Sequence, residues 1–252
     1  MLEISALTRR FGGLTAVNEV SAMFERGSIN AIIGPNGAGK TTFFNLVSGA
    51  VAPSSGRIVF DGRDVTGMRA DQVARLGLAR TFQSTTLFDT ASVLDNLIVG
   101  HRLRTRSNLL DVLLGTRRLR DEERICREKA HAALDFVGLS HIASRLAGDL
   151  SQEERKRVAF ALALSTDPRL LLLDEPAGGV NPEETEGLAR LIRKMAASGL
   201  TVCLIEHKMD MIMNLADHIL VLNNGEKIAA GTPAEVRANP VVIEAYLGSE
   251  HA

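Results

Sequence analysis

Gly34-Pro35-Asn36-Gly37-Ala38-Gly39-Lys40-Thr41 fits the pattern G-x-x-x-x-G-K-[ST] at every fixed position. The glycines let backbone N–H groups converge on phosphate oxygens, and a helix starting behind them aims the positive end of its dipole there. Lys40 can reach the outer phosphates of a nucleoside triphosphate, and the Thr41 hydroxyl can reach the accompanying Mg²⁺. The flanks agree. Residues 29–33, Ile-Asn-Ala-Ile-Ile, are short and mostly apolar, as a buried strand is, and residues 41–48 read as a helix closed by Gly49. Strand, glycine loop and helix in that order place a phosphate grip at residues 34–42 of an α/β core. The residues assigned to ATP are Asn36, Gly37, Ala38, Gly39, Lys40, Thr41 and Thr42.

Such a loop needs an acidic partner. Leu170-Leu171-Leu172-Leu173-Asp174-Glu175 sets two carboxylates at the end of a short apolar run. Asp174 is placed to hold Mg²⁺ and Glu175 to polarise an attacking water. A second buried run, residues 201–205, follows a helix expected over 182–197 and closed by Gly199. Together these runs predict a parallel sheet.

The remaining segments fill in the architecture. Residues 1–30 alternate in polarity and are broken by Gly12-Gly13 and Gly27, which predicts short antiparallel strands. Ser54, Ser55 and Gly56 read as a turn before a strand at 57–60, and Asn224-Gly225 reads as a hairpin turn. From about residue 101 to 148 the pattern is helical, with arginine-rich patches at 102–106 and 117–120 around an apolar island at 109–114. Those arginines read first as a solvated helix face, and second as contacts to a partner or to lipid headgroups. The end of the chain reads as one short helix with Pro233 in its first turn.

Composition narrows the functional classes. The chain has 252 residues, 45% of them hydrophobic and 23% charged, with a net charge of −1. No global field draws it to nucleic acid. Cys126 and Cys203 are the only cysteines and lack metal-ligand spacing, which fits a reducing cytoplasm. No signal peptide is visible, and the longest apolar run falls far short of the roughly 20 residues that cross a bilayer.

These motifs resemble, in order and over essentially the whole chain, the ATP-binding subunits of ATP-binding cassette (ABC) transporters. The resemblance implies one cassette with a core and β subdomain at about 1–84 and 166–252 and a helical subdomain at about 85–165. Phe11 sits where an aromatic stacks on adenine, and Val17 lies beside it in the same opening segment. Gln83, in Ala-Arg-Thr-Phe-Gln, resembles the family's Q-loop glutamine, which touches Mg²⁺ and the transmembrane partner. His207 occupies the switch-histidine position, where it would contact the γ-phosphate and the attacking water. The opening F-G-G-L-T-A-V-N, the A-G-G-V-N-P-E-E that carries Asn181 and the ending from Gly231 resemble the branched-chain amino-acid uptake ATPases. The lipopolysaccharide-export ATPases are the competing branch. The implied setting is the cytoplasmic face of the inner membrane: a second cassette, two permeases and, indirectly, a periplasmic solute-binding protein.

One motif departs from the pattern. Where the family carries L-S-G-G-Q, this chain has Leu150-Ser151-Gln152-Glu153-Glu154. Side chains at Gln152 and Glu153 obstruct the close approach that glycines allow. A carboxylate brought to about 4 Å from a phosphate charge near a surface faces about 4 kcal/mol of repulsion. Ser151 and Glu154 also fit a capping box for their own helix. Because this loop serves the opposite subunit's nucleotide, a heterodimer is the expected assembly. Three functions stay open here: an ATPase driving import, a regulatory cassette with weak turnover, and a non-transport ATPase of the same family.

Overall fold

Alternating apolar residues drive the first hairpin. In β1 (Leu2–Phe11) Leu2, Ile4 and Leu7 are buried, and the strand pairs antiparallel with β2 (Leu14–Phe24). The chain is represented by a computed structural model that describes residues 1–81, 87–101, 107, 109–114 and 116–247. The run 29–33 forms β3 (Ile29–Ile33), buried throughout, and the glycine loop delivers it into α1 (Lys40–Val47). Then come β4 (Ser55–Phe60), β5 (Arg63–Asp64), α2 (Ala70–Arg75) and β6 (Leu78–Thr81). Ser55 and Gly56 belong to β4 rather than to the expected turn. Gly56 has φ +91°, and a side chain there would meet the Ala6 carbonyl at 2.4 Å, so glycine lets the strand pass a bulge in β1.

The chain next forms α3 (Val93–His101), α4 (Leu109–Leu114), α5 (Arg117–Phe136) and α6 (Gln152–Leu164). It returns through β7 (Leu170–Asp174), α7 (Pro182–Ala197), β8 (Thr201–Ile205) and α8 (Met209–Leu215). A hairpin of β9 (His218–Asn223) and β10 (Glu226–Gly231) follows, its turn at Asn224-Gly225 as expected. Two helices, not one, close the described chain: α9 (Pro233–Ala238) and α10 (Pro240–Leu247). The break is physical. Pro240 disfavours a helical backbone at the residue before it, and Asn239 has ψ 116°.

Two compact units result, one made of Met1–Arg80 with Arg169–Ala252 and the other of Thr81–Pro168. The first holds both sheets. One is four-stranded, in the order β2-β1-β4-β5, with antiparallel pairing throughout. The other is six-stranded, β10-β9-β3-β8-β7-β6, with β3, β7, β8 and β9 parallel where they pair. Crossover helices must cover a parallel sheet, which is why its strands read as unbroken apolar runs. Leu2, Phe24, Phe43, Phe44, Phe60, Leu172 and Leu220 belong to one buried cluster, so α1 is packed into the core on which both sheets rest. Burying each such phenylalanine contributes about 1.5–3 kcal/mol. The phosphate loop therefore leads into a helix anchored in that cluster.

Candidate nucleotide site

The loop's glycines are required by its backbone. Gly34 has φ +152°, and a Cβ there would lie 2.1 Å from the Leu222 carbonyl oxygen. Gly39 has φ +95° and caps α1, and its Cβ would lie 2.4 Å from the Ala16 carbonyl oxygen. Helix α1 thus starts with no side chain on its first N–H groups and no acidic residue in its first turn. Its N-terminal dipole is left for an anion. Asn36 and Gly37 are exposed, while Ala38 is buried and donates its N–H to the Pro35 carbonyl at 3.2 Å. Thr41 is exposed and Thr42 half-buried.

Lys40 is the buried member of the loop, 7% exposed. Its Nζ donates to the loop's own carbonyls, to Gly34 at 2.6 Å and Pro35 at 2.9 Å. Burial lowers its pKa, and the Glu175 carboxylate works in the opposite direction. Two carbonyl acceptors hold an ammonium loosely compared with a phosphate, so the charge is positioned but not neutralised.

Asp174 ends β7, 7% exposed, and Glu175 follows it in a left-handed backbone with φ +47°. The His207 ring meets that carboxylate, Nε2 to Oε1, at 3.2 Å. The parallel pairing of β7 with β8 explains this, since Asp174 is in register with Ile205 and the chain beyond each strand emerges on the same edge. Asp174, Glu175 and His207 are thereby gathered at the C-terminal ends of adjacent strands, where α/β sheets place their ligands.

Two of the assigned residues stand apart. Phe11 is 44% exposed, with the Arg9 guanidinium over its ring at 4.5 Å, which leaves a face open for stacking. Val17 is fully buried in the core cluster, so its side chain faces the interior rather than a ligand. Alternation along β2 hides this, because the strand is bulged and the simple two-residue period does not hold. Gln83 lies outside the described residues, as do the arginines at 102–106.

Sequence reasoning missed three side chains here. Arg80 donates to Asp174 at 2.9 Å, to Asn45 at 2.6 Å and to Ser48 at 3.2 Å. Glu206 and Lys208 flank His207, and both bond to the segment that follows Glu175. Two apolar neighbours, Ile205 and Leu204, gave the strand its signal; nothing local marked the polar residues after it.

The substituted loop before α6 is self-satisfied, as its sequence predicts. Ser151 Oγ accepts the Glu154 N–H at 3.1 Å, and the Glu154 carboxylate accepts the Ser151 N–H at 2.8 Å. Glu154 also meets Arg145 at 2.9 Å, and Glu153 pairs with Arg157 at 2.6 Å. The Ser151 N–H first, and Arg145 after it, lower the pKa of Glu154.

A glycine loop on an uncapped helix, a buried lysine, and Asp-Glu facing a histidine across adjacent strands are now in place, and comparison with known proteins agrees with them. Residues 17–178 match the family described as "ABC transporter". The chain belongs to that family. Residues 226–252 match a second description, "Branched-chain amino acid ATP-binding cassette transporter". This cassette is 44% identical over 249 residues to the high-affinity branched-chain amino acid transport ATP-binding protein BraF of Pseudomonas aeruginosa, covering 98% of each. Its identity to LivG of Escherichia coli, which carries the same description, is 40% over 249 residues, again covering 98% of each. Among solved structures, the ADP conformation of MJ1267, an ATP-binding cassette of an ABC transporter, superposes with a TM-score of 0.87 at 34% identity, over 98% of both chains. A nucleotide-free cassette from an ABC transporter gives 0.86 at 33% identity, also over 98% of both. The fold expected from the sequence, a parallel-sheet P-loop core with an antiparallel β subdomain and a helical part, is the fold of these cassettes.

Proposed function

We propose that this chain is the ATP-hydrolysing subunit of an importer for branched-chain amino acids or similar small solutes. The His207–Glu175 contact of 3.2 Å, set beside Lys40 and Asp174, carries the chemical part of that reading. The match at 226–252 and the relatives' printed function support the solute class.

In this reading Phe11 stacks on adenine, and the N–H groups of residues 36–42 with Lys40 hold the phosphates. Glu175 accepts the proton of the attacking water, and His207 orients that water against the γ-phosphate. The donor set suits Mg²⁺, since Asp174 is a buried carboxylate and Thr41 offers an exposed hydroxyl. Gln83 is assigned to the same ion. Among the described residues no group of three or more His, Cys, Asp or Glu could hold a metal, so most ligands would come from phosphate and water. When bound, Mg²⁺ draws charge from the β- and γ-phosphate oxygens.

The capped α6 supports a reading of the assembly. The Ser151 and Glu154 N–H groups already have acceptors, and Gln152 and Glu153 carry side chains where a glycine signature has none, so it offers an opposing nucleotide less than that signature would. A different cassette as partner, both seated at the cytoplasmic face beneath transmembrane permeases, is the arrangement this favours. No helix of the described residues is long and apolar enough to cross a membrane, so attachment would run through those permeases.

The decisive experiment is single-turnover ATP hydrolysis by Glu175→Gln. Loss of the base is expected to slow hydrolysis about 10²–10⁴-fold while nucleotide still binds. Hydrolysis at the parent rate would overturn the assignment. Pairing is tested by co-expression with a second cassette: a stable mixed dimer with faster turnover than either chain alone is expected, and an equally active homodimer would reject it.

A further inference from the structure

The residues on either side of His207 are bonded in a way that water activation alone does not require. Glu206 is 3% exposed. Its Oε1 accepts the Ala177 N–H at 2.6 Å, and its Oε2 accepts the N–H groups of His207 at 2.8 Å and Lys208 at 3.2 Å. Lys208 reaches the same stretch of chain from the other side. Its Nζ donates to the Val180 carbonyl at 2.9 Å and to the Thr185 hydroxyl at 2.7 Å. Both flanks of the histidine are therefore tied to residues 177–185, which begin just beyond Glu175.

The contact they surround needs such support. His207 and Glu175 have side chains 47% and 27% exposed, and side chains this open do not hold a fixed separation by packing. Glu175 also sits at φ +47°, a left-handed backbone that costs a non-glycine residue about 1–3 kcal/mol and persists only where its surroundings fix it. Its N–H donates to the Ile205 carbonyl at 2.9 Å, and its carbonyl accepts the Gly178 N–H at 3.0 Å. Those bonds fix the ends of Glu175's own turn. They do not fix the turn against the histidine segment beyond Ile205.

We propose that Glu206 and Lys208 are positioning residues for hydrolysis: together they clasp the His207 backbone to the loop behind Glu175 and keep histidine and base in register. The proposal rests on the reading of this site as an ATPase. A carboxylate is the group that fits at 206, because all three of its partners are N–H donors and it has only acceptors to offer. A carboxamide must turn its own N–H₂ toward one of them, which releases one side of the clasp. Lys208 is tied to two oxygens, a task a neutral side chain of equal length cannot perform.

The test uses the full chain with four substitutions. Glu206→Gln is expected to lower single-turnover hydrolysis about tenfold to a hundredfold, the scale of an ångström-sized misplacement. Binding of a fluorescent ATP analogue should stay within about twofold, since the phosphate loop is untouched. Lys208→Met should act in the same direction and Lys208→Arg should recover most of the rate. In a His207→Ala background, Glu206→Gln should add less than about threefold, because the register then has nothing left to hold. Parent-like rates in both Glu206→Gln and Lys208→Met, or losses that multiply in full in the His207→Ala background, would overturn the proposal. A parent chain that does not hydrolyse ATP would instead overturn the ATPase reading. Amide hydrogen exchange then decides the clasp separately: Glu206→Gln should speed exchange at 177–185, and unchanged protection there would reject it.

Discussion

Arg80 and Asp174 form an ion pair of 2.9 Å whose side chains are 7% and 8% exposed. The guanidinium also reaches Asn45 in α1 and Ser48 at the end of that helix and lies over the Phe44 ring at 5.7 Å, so one planar group joins β6, β7 and the helix behind the phosphate loop. Removing one member of a buried pair strands the other charge, at a cost of about 3–5 kcal/mol. Arg80→Met is therefore expected to lower the urea-unfolding free energy by that amount, and Arg80→Lys to recover only part of it. A point charge cannot serve three acceptors in a plane. Unchanged midpoints in both variants would mean the pair is not a net stabiliser. This pair was invisible in the sequence, since its partners are 94 positions apart and neither belongs to a periodic pattern with the other. Lys40 was readable from the phosphate-loop pattern, Glu175 from two carboxylates ending an apolar run, and His207 from the family resemblance.

Helix starts are closed in different ways in this chain. Helices α6, α7 and α9 each carry a reciprocal capping box, from Ser151, Asn181 and Thr232. Helix α1 has a glycine there and no side-chain cap. Helix α8 also starts without a side-chain cap, so the glycine loop, not the missing cap, marks α1 as the end left for a ligand, while the cap of α7 gives Asn181 a local duty whatever it does at an interface. The caps also predict a pH response. Glu154 has its pKa lowered from 4.5 in the folded state, so its contribution is present above that value and fades as pH falls through the folded one. Glu154→Gln is expected to melt below the parent at pH 7, with the gap closing as pH drops well under 4.5. A gap that does not change with pH would refute the linkage. Elements bounded by such chemistry were legible: α7, β8 and the β9–β10 hairpin stand where propensity and turn residues put them. The strand β6 was not, because Leu-Ala-Arg-Thr carries one apolar side chain that needs burial and three half-buried ones.

At the scale of the molecule, one cluster of buried residues underlies both sheets and the phosphate loop, so stability and nucleotide binding share a foundation. Phe43 is fully buried within it. Phe43→Ala is expected to cost about 3–5 kcal/mol, measured by chemical denaturation, and to weaken nucleotide binding through α1. Each cysteine reports on the packing of its own unit, Cys203 in the core cluster and Cys126 on α5. Cys126 and Cys203 are buried, and burial pushes the Cys203 thiol well above its ordinary range. A thiol reagent should label neither in the native protein and both in denaturant; rapid native labelling of Cys203 would contradict the packing.

The chain leaves the core after Arg80 and comes back at Arg169, and those two points are held together: Gly77 accepts the N–H groups of Arg169 at 2.7 Å and Leu170 at 3.1 Å. Everything between is thus an excursion whose ends are pinned side by side on neighbouring strands. Closing a loop becomes harder only with the logarithm of its length, about 0.6 kcal/mol for each doubling. Loops within the segment 81–168 can therefore lengthen or shorten at small entropic cost to its joined ends. A cassette built this way can acquire new partners through its excursion while the residues that grip the nucleotide stay where they are.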